Sequence, residues 1–109
     1  MNDARLTEEL ASTILGWRTT PTKYLKEGRS WIPKSRFQPL KNDRDASRLL
    51  DAMAIPYTLL ITHSRGFTVE LKCTDGTWTA AANSRARAIT LAIAQQVGID
   101  VSRHRTRRL

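Results

Sequence analysis

The chain has one cysteine, two histidines and few aromatic residues among its 109 positions. The single cysteine, Cys73, excludes an internal disulfide framework and any metal site built from cysteines alone. No apolar run approaches the roughly 20 residues that a membrane-spanning helix needs, so we expect no membrane partner. The first residues are polar and lack the apolar stretch of a signal peptide, which predicts a cytoplasmic location.

Motifs for nucleotide or metal binding are also missing. The sequence contains no GxxxxGK[ST] or GxGxxG loop and no HxH, HExxH or CxxC spacing. A thiol nucleophile would have to use Cys73 with His63, but Cys73 falls on an apolar strand face, where we expect a small buried side chain. Glu8 and Glu9 are adjacent on a helix and point to different sides, so they do not converge on a substrate. We therefore predict a protein that is not an enzyme and uses no metal or cofactor.

What the chain has in abundance is positive charge, concentrated in two blocks. Its 18 Lys and Arg residues against 10 acidic residues give a formal net charge of +8. Residues 18–48 carry a net charge of +6 and residues 85–109 a net charge of +5, whereas the other two segments are slightly acidic. Such segregation is typical of surfaces that bind an acidic partner, most often nucleic acid.

Three segments show the spacing of apolar residues that favours helices. They cover residues 3–15, 44–54 and 85–97. Gly16 is suited to end the first helix because glycine adopts the left-handed conformation at little cost. Asn83 or Ser84 can cap the third helix by accepting a hydrogen bond from a backbone amide of its first turn.

Residues 57–82 alternate between apolar and polar side chains and contain turn signals at residues 64–66 and 75–76. This pattern predicts a three-stranded antiparallel meander sheet packed with helices. The predicted fold class is α+β, in the order α-loop-α-β-β-β-α. Leu60 lies on the polar side of its strand; it would be explained if helices covered both faces of the sheet.

We expect one domain over residues 1–98, followed by a basic tail at residues 99–109. Within the domain, residues 18–43 show no sustained periodicity and are interrupted by three prolines and one glycine, which predicts a long basic loop. Its aromatic residues are expected to fix the loop to the core, or alternatively to stack on bases. They are Tyr24, Trp31 and Phe37.

The candidate contacts to an acidic partner are cations in this loop, at the start of the last helix and in the tail. A helix N-terminus offers free amides and a positive dipole end to a phosphate, and arginines there would reinforce it. An ordinary capped helix with exposed arginines is the alternative at that position. The candidate residues are Arg18, Lys23, Lys26, Arg29, Lys34, Arg36, Arg85, Arg87, Arg103, Arg105, Arg107 and Arg108.

The helix-strand-strand-strand-helix order of residues 46–97 resembles a double-stranded-RNA-binding domain. The segment SRARA at residues 84–88 opens an alanine-rich helix, where such domains place a basic cluster that spans phosphates. This resemblance implies phosphate contacts for Arg85 and Arg87. Residues 63–66 replace the glycine-proline-histidine loop of that family, so the resemblance is one of topology.

A second resemblance covers most of the chain. Small phage and prophage proteins of the ABA-sandwich type resemble this chain in residues 10–17, in Trp31, in the alanine- and isoleucine-patterned last helix and in the segment FQPLKNDRDASRL at residues 37–49. That family implies a small α/β sandwich without an assigned activity. It also implies structural roles for Gly16, Trp17 and Trp31.

Taken together, the sequence predicts a non-enzymatic binding protein of phage or prophage type. The leading hypothesis is that basic surfaces engage nucleic acid or a nucleoprotein complex in the host cytoplasm. One alternative is a protein-binding inhibitor of a host defence system, similar to an anti-CRISPR, which would engage an acidic host protein. A second alternative is a virion or assembly protein. The sequence leaves the oligomeric state open.

Overall fold

The computed structural model describes residues 2–26, 30–53 and 55–99, and its α+β architecture confirms the predicted class. The helices are α1 (Asp3–Leu10), α2 (Asp43–Ala52) and α3 (Arg85–Gln96). The strands are β1 (Arg18–Thr19), β2 (Lys23–Leu25), β3 (Trp31–Pro33), β4 (Tyr57–His63), β5 (Phe67–Cys73) and β6 (Gly76–Ala82). A π-helical turn (Ala11–Leu15) extends α1, and a 3₁₀ turn (Lys34–Arg36) follows β3.

The helix ends are set by side chains that the sequence places there. Asn2 caps α1 by accepting the amide of Arg5 at 2.8 Å. Asn42 caps α2, and Ser84 caps α3. After α1 the chain widens into the π-helical turn and stops at Gly16, whose φ of 71° lies in the left-handed region that glycine tolerates. The three predicted helices are therefore confirmed, although the last turn of the first is not α-helical.

The predicted meander forms the larger sheet, with the order β4-β5-β6 and antiparallel pairing throughout. The register aligns apolar side chains in rows, such as Leu59 with Leu71 and Trp78. This face packs against α3, and the central Val69 and Leu71 are fully buried.

The other face of the larger sheet is open to solvent. It carries mainly threonines, together with Leu60, which is 54% exposed. The described residues thus cover this sheet on one side only. The explanation of Leu60 by helices on both faces is not supported, and the ABA-sandwich arrangement is not confirmed.

The expectation of one irregular loop over residues 18–43 is wrong. Three short strands pair there as a second antiparallel sheet in the order β1-β2-β3. Strands of two or three residues are too short to show alternation, so the pattern gave no signal. The turn between β1 and β2 is closed by Thr20, whose hydroxyl donates to the Lys23 carbonyl at 2.9 Å and accepts the Lys23 amide at 3.1 Å.

The smaller sheet is attached to the core by a cluster of three aromatic rings. Trp17 lies 5.8 Å from Tyr24 and 5.1 Å from Phe37, and Tyr24 lies 5.9 Å from Phe37, measured between ring centroids. The contacts are tilted or edge-to-face, which are the favourable geometries for aromatic pairs. All three rings are buried, so Tyr24 and Phe37 anchor this region as expected.

Trp31 does not join the cluster. It is 55% exposed, so the expectation that it anchors the loop is wrong. The reason is the strand register: Ile32 pairs with the buried Tyr24, and neighbouring residues of a strand point to opposite faces. Trp31 therefore points to the outer side of the smaller sheet.

The segment after the 3₁₀ turn is held by two polar contacts from helices. The buried Asp45 of α2 accepts the Gln38 amide at 2.9 Å. The hydroxyl of Thr90, fully buried in α3, donates to the Pro39 carbonyl at 2.8 Å. These bonds join the segment to both helices.

We predict that Thr90→Val destabilises the fold by about 1–3 kcal/mol, because it leaves the Pro39 carbonyl buried without its hydrogen bond. The measurement is the free energy of unfolding in urea. Thr77→Val, at an exposed position of the larger sheet, is the matched control and should change stability by less than about 0.5 kcal/mol. Equal effects of the two substitutions would contradict the role of the Thr90 bond.

A second prediction concerns high pH. Burial, with a smaller contribution from Glu8, raises the pKa of Tyr24 from 10.0 to about 12. The unfolded chain therefore releases this proton first, and the stability that Tyr24 contributes below pH 10 is lost as the pH rises to about 12. Urea unfolding across this window should show a shallower decline for Tyr24→Phe than for the native chain. Identical slopes would show that Tyr24 titrates normally.

Candidate nucleic-acid interface

The outer side of the smaller sheet combines cations with an exposed tryptophan. The register places Arg18 beside Leu25 and Leu25 beside Trp31, while Lys23 lies beside Pro33. Because alternate residues of a strand share a face, these five side chains lie on one side of the sheet. We call this surface the Trp31 face.

Within the Trp31 face, Lys23 and Trp31 are in direct contact. The Lys23 Nζ lies 4.8 Å from the centroid of the indole ring, which is the geometry of a cation–π interaction. Arg18 is exposed on the same face. The arrangement presents an aromatic surface and two positive charges to solvent together.

A second pair of cations surrounds Trp17, whose ring belongs to the buried aromatic cluster. The Lys26 Nζ lies 5.7 Å from the Trp17 ring centroid, and the Arg48 guanidinium carbon lies 5.0 Å from it. Lys26 was among the sequence candidates, but Arg48 was not. No local signal could have found Arg48, because its contact joins α2 to a residue 31 positions earlier.

Two of the predicted cations form ion pairs with acidic residues of α1. Lys34 pairs with Glu8 at 2.7 Å, and Arg87 makes two hydrogen bonds of 2.9 Å to Asp3. Their charges are therefore partly neutralised by α1. The pKa of Arg87 is raised, first by the hydrogen bond to Asp3.

Four cations near the two tryptophans of this region form a second group. In the part of the chain that the structure describes, none of them forms an ion pair with an acidic side chain. They surround Trp17 and Trp31, and they are Arg18, Lys23, Lys26 and Arg48. Of these, Arg18 and Lys23 share the Trp31 face with an exposed aromatic ring, whereas Lys26 and Arg48 lie over the buried ring of Trp17.

The remaining candidates are placed elsewhere or not described. Arg36 is exposed in the 3₁₀ turn, and Arg85 is exposed as the first residue of α3. Five candidates lie outside the described residues, namely Arg29, Arg103, Arg105, Arg107 and Arg108.

The thiol and the imidazole considered for catalysis are far apart. Cys73 pairs with Tyr57 at one end of the β4-β5 hairpin, and His63 pairs with Phe67 at the other. At about 3.3 Å per residue, the six-residue step from Phe67 to Cys73 separates them by about 20 Å. His63 instead stacks on Phe67 with ring centroids 4.2 Å apart.

Cys73 is half-buried rather than fully buried as expected, because it lies at the end of its strand. Burial, and then the nearby Asp75, raise the pKa of its thiol. This shift disfavours the thiolate, which is the reactive form of cysteine. Among residues 2–26, 30–53 and 55–99, no group of three or more His, Cys, Asp or Glu side chains is arranged to hold a metal ion.

An open cleft of about 400 Å³ lies between α1 and the 3₁₀ turn. Its lining includes Tyr24 and the Glu8–Lys34 ion pair, whose charges satisfy each other. The exposed surface of the cleft lining is mainly apolar. Separately, no helix in the described ranges has the length and apolar character to cross a membrane.

No family model and no curated protein matches the chain. Among solved structures, the chain is similar to a phage protein from Bacillus cereus ATCC 14579, with a TM-score of 0.69 and 18% sequence identity. The match covers 89% of this chain and 88% of that one. At this level of identity the likeness establishes the fold alone. The chain thus shares its fold, over most of its length, with a phage protein.

Proposed function

We propose that the chain is a non-enzymatic, phage-type protein that binds single-stranded nucleic acid through the Trp31 face. The observation that carries the proposal is Trp31 itself. Its indole is 55% exposed and contacts Lys23, on a face that also presents Arg18. A large exposed aromatic ring among unpaired cations is the combination that binds bases and phosphates together.

The chemistry of such a contact follows from the two components. A base stacks on an aromatic ring, and each stack contributes about 1–3 kcal/mol with little dependence on sequence. Cations beside the ring neutralise the adjoining phosphates and release their counterions. Lys26 and Arg48 add positive charge beside Trp17, which packs against Tyr24 of the same small sheet.

The geometry favours single strands over duplexes. Stacking on a side chain requires a base that is free of its neighbours, as in single-stranded segments. The resemblance to double-stranded-RNA-binding domains instead assigns phosphate contacts to Arg85 and Arg87. Arg87 is already engaged by Asp3 through two hydrogen bonds, so a phosphate would have to compete with that carboxylate.

The fold likeness to the Bacillus cereus phage protein supports a phage origin for this chain. A protein of that origin that binds single-stranded nucleic acid would act in the cytoplasm of the host cell. The separation of Cys73 from His63 supports the non-enzymatic part of the proposal.

We predict that Trp31→Ala weakens binding to a labelled oligothymidine by about 5- to 150-fold, the equivalent of one lost stack. Fluorescence anisotropy measures the affinity. Trp31→Phe keeps a stacking ring and should retain most of the binding. Because Trp31 is largely exposed, neither substitution should change the circular dichroism spectrum. Unchanged affinity of Trp31→Ala, with the fold intact, would refute the Trp31 face as the binding surface.

Salt dependence provides a further prediction. Affinity for the oligonucleotide should fall steeply with salt, and Lys23→Gln or Arg18→Gln should each reduce the slope of log K against log salt by about 0.7. Arg65→Gln removes the same charge from an exposed turn of the larger sheet and is the matched control. A slope that falls equally in the control would mean that only net charge matters.

The same purified protein separates this proposal from the alternatives. If the chain inhibits a host defence system, it should retain one acidic host protein after nuclease treatment, and Trp31→Ala should leave oligonucleotide binding unchanged. If it is a virion component, it should co-purify with phage particles. Neither result is expected for a protein that acts by binding single strands.

A further inference from the structure

Strand β4 is an edge of the larger sheet, and among the described residues no strand pairs with its outer side. Edge strands of natural proteins are protected from pairing with other chains by lysines, prolines, bulges or inward charges. The β4 sequence, YTLLITH, contains no Lys, Arg, Asp, Glu or proline. All seven of its residues pair with β5 in an unbroken register, without a bulge.

Apolar surface is exposed along this edge on both faces of the sheet. On the open face, Leu60 is 54% exposed. On the face that packs against α3, Leu59 and Ile61 are only half-buried, whereas their β5 partners Leu71 and Val69 are fully buried. The cover that α3 provides thus decreases towards β4, and the edge strand retains uncovered apolar side chains.

The opposite edge of the same sheet differs. Strand β6 lies directly against α3, and the side-chain amide of Gln95 donates a hydrogen bond of 3.2 Å to the Thr79 carbonyl. One main-chain carbonyl of β6 is therefore already hydrogen-bonded to a side chain of α3. Among the described residues, the edge without such a contact is the one formed by β4.

We propose that β4 pairs antiparallel with β4 of a second copy of the chain, which joins the two larger sheets into one. Residues that lie opposite each other in an antiparallel pair have their backbone amides oriented alike relative to the partner strand. The two-fold axis that relates the two copies of β4 must therefore pass where one residue faces its own copy, and not between two neighbouring residues. An axis at Leu60 allows all seven residues of β4 to pair.

This register is complementary in its side chains. On the open face, Leu60 meets its own copy, with Thr58 beside Thr62 on either side. On the other face, Leu59 meets Ile61, so apolar side chains that are half-buried in one chain cover each other. No like charges are brought together, because β4 carries no Lys, Arg, Asp or Glu.

The lack of charged side chains on β4 favours a second copy over the chain's own C-terminal segment as the occupant. Residues 100–109 contain four arginines and a single acidic residue, and β4 offers no carboxylate to pair with them. A second β4 brings an uncharged apolar strand to an uncharged apolar strand.

Sedimentation over a range of concentrations tests the proposal on the full chain. We expect a transition from 12.3 kDa to twice that mass as the concentration rises. Leu60→Lys should remain monomeric, because each protomer would place a cation opposite its copy, while the exposed position next to Glu70 tolerates the charge. Thr79→Lys, in the same row but on β6, is the matched control and should dimerise like the native chain.

A cross-linking experiment checks the register. In a Cys73→Ala background, Leu60→Cys should form an intermolecular disulfide under mild oxidation, because the position faces itself across the axis. Thr58→Cys should cross-link poorly, because it faces Thr62. The proposal is overturned by a native chain that stays monomeric at millimolar concentration, or by a dimer that survives Leu60→Lys or is lost in Thr79→Lys. Equal cross-linking at positions 58 and 60 would also overturn it.

Discussion

The packing of Trp17, Tyr24 and Phe37 is the contact on which the smaller sheet and the Trp31 face depend. Strands of two or three residues bury too little surface to be stable alone. The three rings provide the missing core, with centroids 5.1 to 5.9 Å apart. Because neighbouring residues of a strand point to opposite sides, the burial of Tyr24 directs Lys23 outwards, and its pairing with Ile32 directs Trp31 outwards as well.

Tertiary structure, rather than local sequence, decides which cations of the basic block remain available. Lys34 and Lys23 belong to the same strongly positive segment, but α1 supplies a carboxylate to Lys34 and none to Lys23. The net charge of a segment therefore overstates the charge that it presents. Four cations for which the described residues supply no acidic partner lie near two tryptophans, one buried and one exposed.

The elements that could be predicted from sequence are those with enough residues to show a period. The three helices and the meander of residues 57–82 meet that condition, and their caps at Asn2, Asn42 and Ser84 follow from local chemistry. The smaller sheet does not meet it, since strands of two or three residues are too short to show an alternation. The bond between Arg87 and Asp3 joins residues 84 positions apart, and no local rule reports such a contact. The sequence therefore predicted which kinds of residue the candidate site contains, but not which of them the fold brings together.

The last helix, α3, also dictates the order in which the chain can fold during synthesis. Arg87 and Thr90 of this helix hold Asp3 at the start of the chain and Pro39 in its middle. Neither bond can form until α3 has left the ribosome. Until then α1 lacks this partner, and the larger sheet lacks the helix that covers its apolar face. The segments that carry Asp3 and Pro39 thus complete their packing only after α3 has been made.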